Sequence, residues 1–205
     1  MVENKYDAIF CDLGNVLVNF DHRIAVKKIL SRTKKNEEDI YQLFFDSGLT
    51  KLYEEGKISS QDFFYRVKYS LGLDIDGDKF FSIWDDIFFE TPLNLKIQDF
   101  LIGIKGRYKL AMISNINENH FEFLRKKMPV FAEFDKLVLS YEVGFRKPAV
   151  EIYNAALRAV DARPEKAFYI DDRADLIKAA AGYGIKGITF SGEEAFREIT
   201  EELKS

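Results

Sequence analysis

The sequence predicts an α/β fold, a doubly wound parallel sheet carrying one all-helical insert, and three observations predict it. Short unbroken apolar runs recur along the chain, each followed by a segment with helical spacing. Such runs suit strands buried on both faces of a parallel sheet. The alternation breaks off once, over residues 20–90, where apolar residues keep helical spacing and strand signals are missing. Polar or charged residues stand directly after several of the runs, on the rim where open α/β sheets bind their ligands.

The first run, Ala8-Ile9-Phe10-Cys11, ends at Asp12 and leads into a Gly14-Asn15 turn. Within the insert Ile24, Ile29 and Leu30, then Ile40, Leu43 and Phe44, then Phe63, Phe64, Val67 and Leu71, then Phe80, Phe81, Trp84 and Phe88 mark successive helices. Ser59 and Ser60 ahead of Asp62 form a helix start. After Pro92 the strand–helix alternation resumes with a helix over 95–104 and a strand over 110–113 that ends at Ser114-Asn115. A helix over 118–127 and a strand over 136–140 follow, leading to Gly144. Pro148 stands where proline opens a helix, here running to about residue 160. A strand over 167–170 ends at Asp171-Asp172, and a helix to 183, a strand over 187–190 and an amphipathic helix complete the chain. The expected division is a core of residues 1–19 and 91–205 and a helical unit of residues 20–90.

At 205 residues and 47% apolar content the chain can bury a full core. A formal charge of -4 with dispersed Lys and Arg disfavours nucleic acid as the main ligand. Cys11 is the single cysteine, which excludes an internal disulfide and fits a cytoplasmic setting. No apolar run approaches the ~18–20 residues of a membrane span, so no membrane partner is expected.

Four segments then combine. Phe10-Cys11-Asp12-Leu13-Gly14-Asn15-Val16-Leu17, Ile113-Ser114-Asn115, Gly144-Phe145-Arg146-Lys147-Pro148 and Tyr169-Ile170-Asp171-Asp172 occur in this order, each at a strand end or helix start. Together they resemble the haloacid dehalogenase superfamily across the whole chain, and the insert resembles that family's helical cap of the first type. The Asp-Leu-Gly-Asn-Val form of the first segment is most similar to the branch containing α-D-glucose-1-phosphate phosphatases. The resemblance implies a Rossmann-like core and a Mg²⁺-dependent phosphatase acting on a small phosphorylated substrate, as a monomer or small homo-oligomer. It implies that Asp12 is the nucleophile and that Lys147 pairs with the phosphate and positions Asp12. Ser114 and Asn115 would hydrogen-bond the transferring group. Asp12, Asp172 and the Gly14 carbonyl would ligate the metal, and Asp171 would be a further metal contact or a support behind it. A carboxylate attacking a dianionic ester needs such cationic help.

Two positions depart from the commoner family pattern. Gly14 stands where a second acid usually protonates the leaving group, and Asp21 or His22 are the nearest substitutes. Leu176 stands where many relatives have Asp or Asn, with Asp175 beside it. Plainer readings compete at several sites. Asp21 reads as a helix cap, His22 as a surface histidine, His120 as surface or helix packing, and Cys11 as a small buried hydrophobe. Asp74 to Asp78 reads as a turn and cap, and Gly182 to Gly187 as a helix end and turn rather than a nucleotide loop, since it runs from helix to strand. Residues 53–58 are expected to form a loop facing the site. The rival functions are a metal-free dehalogenase, opposed by Asp172 and by the absence of Tyr at position 14, a non-catalytic phosphate-binding module, and a mutase, opposed by Gly14.

Overall fold

The structure is a computed structural model that describes residues 4–204. In chain order the elements are β1 (Ala8–Cys11), β2 (Asn19–Phe20), α1 (His22–Leu30), α2 (Glu37–Tyr41), α3 (Leu49–Glu54), α4 (Ser60–Leu71), α5 (Gly77–Asp85) and β3 (Phe88–Phe89). There follow α6 (Pro92–Ile104), β4 (Lys109–Ser114), α7 (Glu118–Arg125), β5 (Lys136–Leu139), α8 (Ser140–Val143), α9 (Val150–Val160), β6 (Ala167–Asp171), α10 (Ala174–Gly182), β7 (Lys186–Thr189) and α11 (Glu193–Lys204).

The five long strands form one parallel sheet in the order β5-β4-β1-β6-β7. The period of two along each strand divides its side chains between two cores. Ile9, Cys11, Leu110, Met112, Phe168 and Ile170 face one layer, with Ile97 and Leu101 of α6 and Ile199 and Leu203 of α11. Ala8, Phe10, Ala111, Ile113 and Tyr169 face the other, with Ile152, Tyr153 and Ala156 of α9 and Ala180 of α10. This two-sided burial is why the strands read as unbroken apolar runs. Register aligns Cys11 with Met112 and with Ile170, so the residues after them reach the same rim.

A separate apolar cluster lies between α1 and α5 and carries the aromatic stripes seen in the sequence. Phe63 is at its centre, with ring centroids 4.4 Å from Tyr53 and 5.2 Å from Trp84. Aromatic rings at such spacings add specific packing to their buried area. The helix starts follow from capping: Asp21, Ser59 and Asp76 each accept a backbone N–H of the first turn that follows. Asp76 thus takes the cap and turn role expected of residues 74–78.

Three features differ from the sequence-based expectation. A two-stranded antiparallel ribbon pairs Asn19 with Phe89 and Phe20 with Phe88, inside a stretch expected to hold helices alone. Two-residue strands are too short to show alternation, and they exist because the chain leaves and rejoins the sheet at one place. Second, α9 begins at Val150 rather than at Pro148. The Ala149 N–H donates to Arg146 O at 2.9 Å, closing a turn that occupies Pro148 ahead of the helix. Third, Ser140 ends no strand but opens the short helix α8. Its Oγ lies 2.6 Å from Glu54 O and ties the helical unit to the sheet unit. No helix among the described residues is long and apolar enough to cross a membrane.

Candidate active site

Asp12 directly follows β1, and its N–H donates to Ile170 O at 2.8 Å, which continues the sheet by one bond. Its Oδ1 accepts the Leu13 N–H at 2.7 Å, so the carboxylate is held by its own turn. Lys147 Nζ lies 2.8 Å from Asp12 Oδ1 and 2.8 Å from Asp171 Oδ2. It also donates to Ile113 O at 3.0 Å. Those three contacts use all the donors an ammonium has.

The Lys147 main chain is clamped from β4. Asn115 Oδ1 accepts the Lys147 N–H at 2.7 Å and Asn115 Nδ2 donates to Lys147 O at 3.0 Å. Asp171 is fully buried at the end of β6. Its Oδ2 also accepts the Tyr169 hydroxyl and its Oδ1 accepts the Arg173 N–H at 2.9 Å. Asp172, the next residue, is half-buried and accepts Asn15 Nδ2 at 2.9 Å. Asn15 adopts the left-handed conformation, φ 54°, which Asn tolerates better than most residues. Its contact with Asp172 makes it a site residue, a role its place in the Gly14-Asn15 turn does not announce in the sequence.

Burial dominates the electrostatics. It pushes the Asp12 carboxyl up to about 7, against the pull of Lys147, and it raises Asp172 as well. Burial also works against the charged form of Lys147, but Asp12 and Asp171 outweigh it and hold the ammonium above its ordinary value. Carboxylate oxygens of Asp12, Asp171 and Asp172 all lie within 4.8 Å of one another. Three carboxylates beside a single ammonium leave excess negative charge, and clustered oxygen donors of this kind suit a hard divalent cation.

These groups form the floor of a cavity of about 320 Å³, lined there by Asp12, Gly14, Ser114, Asn115, Lys147 and Asp172. Asp171 does not line it; its oxygens face Lys147, Tyr169 and the Arg173 N–H. The helical unit supplies the roof with Phe20, His22, Phe44, Phe45, Thr50 and Glu54. Above Gly14, a Cβ would lie 2.8 Å from Phe20 Cε1. The Phe20 ring therefore occupies the room that an acid at position 14 would need.

Several sequence-based expectations change here. His22 is half-buried in the cavity wall rather than on the surface, its ring edge-on to Phe20 and Phe45 at 5.0 Å each. Burial lowers its pKa. Asp21 caps α1 and accepts the Arg23 N–H at 2.9 Å. His120 is buried packing, not surface: its ring stacks on Trp84 at 5.1 Å and Nε2 contacts Trp84 O at 3.0 Å. Burial pushes it down to about 3. Residues 53–58 do not all form a loop, since Tyr53 and Glu54 end α3. Tyr53 is cap interior, and Glu54 lines the cavity with Arg146 Nε 2.8 Å away. Burial raises the Glu54 carboxyl to about 7. Glu54 and Arg146 carried no sequence signal, because they meet only when α3 packs on the turn before Lys147. Asp175 is exposed and paired with Arg173 at 2.6 Å, while Leu176 lines the cavity. The 182–187 segment is a helix end and turn, with Gly184 at φ 85°.

Fold and site together define a hydrolase of the parallel α/β class, with a carboxylate–lysine–carboxylate centre roofed by helices. The chain belongs to the haloacid dehalogenase-like hydrolases: residues 6–184 match that family. It is 26% identical to D-ribitol-5-phosphate phosphatase of Bacteroides thetaiotaomicron, over 96% of this chain and 98% of that one. It is 34% identical to glyceraldehyde 3-phosphate phosphatase of Methanothermobacter thermautotrophicus over half of this chain and 47% of that protein. Among solved structures, a HAD family enzyme of Bacteroides thetaiotaomicron in complex with magnesium and inorganic phosphate superposes with a TM-score of 0.81 at 25% identity, covering 92% of this chain and 96% of the other.

Proposed function

We propose that this chain is a Mg²⁺-dependent phosphatase that hydrolyses a small phosphate monoester through an aspartyl phosphate on Asp12. The observation that carries the reading is the placement of Lys147, buried and 2.8 Å from Asp12 Oδ1, at the floor of a cavity that also holds Ser114 and Asp172. The full-length similarity to a named sugar-alcohol phosphatase supports it.

Asp12 attacks phosphorus and the bond to the leaving oxygen breaks. Water then opens the acyl phosphate and restores the carboxylate. Lys147 holds Asp12 ionised against its burial, and its charge at the cavity floor offsets that of the incoming phosphate. Asp171 and Asn115 position Lys147 from two sides, so Asp171 acts through the lysine rather than on substrate. The Ser114 hydroxyl donates to the transferring group. Asp12, Asp172 and the Gly14 carbonyl would hold Mg²⁺, with Asn15 orienting Asp172. The bound ion supplies charge that offsets the repulsion between carboxylate and phosphate dianion. The acidic cluster fits that role and weighs against a metal-free dehalogenase. The substrate proposed is a sugar or sugar-alcohol phosphate, with hexose 1-phosphates and D-ribitol 5-phosphate the first to compare.

The test is phosphate release from p-nitrophenyl phosphate, whose good leaving group needs no acid at position 14. Turnover that requires Mg²⁺ and disappears in Asp12→Asn is expected. Absence of turnover with Mg²⁺ present, or full turnover in Asp12→Asn, would overturn the reading.

A further inference from the structure

Among the described residues, five buried side-chain polar atoms make no hydrogen bond: His22 Nδ1, Thr50 Oγ1, Glu54 Oε2, Trp84 Nε1 and Arg146 Nε. Four of those five residues, all but Trp84, line the one cavity above Asp12. Buried polar atoms are nearly always satisfied in folded proteins, so four orphans around a single cavity mark a place where a ligand supplies the partners. Glu54 and Arg146 are instructive. Their oxygen and nitrogen lie 2.8 Å apart as an ion pair, yet neither atom makes a hydrogen bond. The pair leaves the other guanidinium N–H groups of Arg146 and the second carboxylate oxygen of Glu54 for a third group.

The chemistry of the four narrows the ligand. Glu54 accepts, Arg146 donates, and Thr50 and His22 can do either. An anion would call for donors alone. An alkyl or prenyl chain would leave all four without partners. A row of hydroxyls, each both donor and acceptor, matches the mixture. The intervening wall of Phe20, Phe44 and Phe45 suits the C–H faces between such hydroxyls.

We propose that His22, Thr50, Glu54 and Arg146 form a subsite for the hydroxyls of a polyhydroxylated leaving group, which makes the enzyme selective for sugar or sugar-alcohol phosphates over alkyl and prenyl phosphates. The subsite rests on the phosphatase reading, because the leaving group reaches it only from a phosphorus held at Asp12.

The experiment compares kcat/KM for D-ribitol 5-phosphate and D-glucose 1-phosphate with that for n-pentyl phosphate, which has the five-carbon chain without hydroxyls. A site built to hydrogen-bond its substrate rejects the analogue lacking those groups strongly, so the better hydroxylated ester is expected to lead by ~10²-fold or more. Thr50→Val and Glu54→Gln, which preserve volume, are each expected to cut that ratio about tenfold, with the loss confined to the hydroxylated ester. A wild-type ratio near one, a preference for pentyl phosphate, or an unchanged ratio in both variants would overturn the subsite while leaving the phosphatase reading intact. Failure of all these esters and of p-nitrophenyl phosphate would overturn the phosphatase reading, and the subsite with it.

Discussion

Replacing Lys147 by Met tests the electrostatic argument at its centre. Met keeps the unbranched stem that packs in a position only 4% exposed and removes the charge. Lys147 contacts Asp12 and Asp171 at 2.8 Å each. Breaking a buried ion pair by removing one partner typically costs about 3–5 kcal/mol. A buried carboxyl can lessen that cost by binding a proton. Asp12 sits at about 7 in the intact protein, against about 3.9 for an unfolded chain. Loss of the neighbouring cation raises it further. Above pH 7 the folded variant then holds a proton that neither the unfolded chain nor the folded wild type holds. Its stability therefore falls as pH rises, by about 1.4 kcal/mol per unit. Between pH 7 and pH 9 the deficit relative to wild type should widen by about 3 kcal/mol. Urea denaturation in EDTA across that range measures it. Saturating Mg²⁺ should narrow the gap, since without the Lys147 charge the three carboxylates bind a cation more tightly than in wild type, and a ligand bound only to the folded state stabilises it. A deficit constant from pH 7 to pH 9 would refute the claim that Lys147 holds a buried Asp12 in its charged form.

Further outcomes are expected at three glycines and at one buried histidine. Gly56 has φ 64°, and a Cβ there would lie 2.1 Å from Tyr141 O, so Gly56→Ala should cost about 3 kcal/mol or more by thermal denaturation. Gly72→Ala, at φ 62° with nothing within 4 Å, should cost only about 1 kcal/mol. Gly14→Asp should be destabilising because Phe20 Cε1 lies 2.8 Å from the new Cβ. Adding Phe20→Ala should relieve the strain, with a coupling of about 1–2 kcal/mol in a urea double-mutant cycle. His120, neutral to about 3 when folded, stabilises the protein above pH 6.5, and this is lost as pH falls. Asp85, raised to about 7 by burial, acts in the opposite sense over the same window. In Asp85→Asn the histidine should therefore dominate: relative to Asp85→Asn/His120→Phe, stability should fall by about 1.4 kcal/mol per unit below pH 6.5.

Much of the core was legible in one dimension. Ala8-Ile9-Phe10-Cys11 and its counterparts read as buried strands because strand length, apolar content and the polar residue that follows are local properties. The helix starts at Asp21, Ser59 and Asp76 follow from capping, which spans three residues. The strand-end residues Asp12, Ser114 and Asp172 share a rim because parallel register brings strand ends together.

What the sequence by itself determined is thus the alternation, the insert and the set of polar groups at the strand ends, all written in short-range periodicity. The tertiary structure alone decided which way each group points and what meets across the cavity. Asp171 and Asp172 are equivalent as letters, yet the strand's alternation buries one against Lys147 and leaves the other at the cavity. The ring of Phe20 over Gly14, the Glu54–Arg146 pair and the cavity-facing His22 join segments with no common pattern. Their proximity is set by how the helical unit packs on the sheet, and packing of distant surfaces leaves no periodic trace in either segment alone.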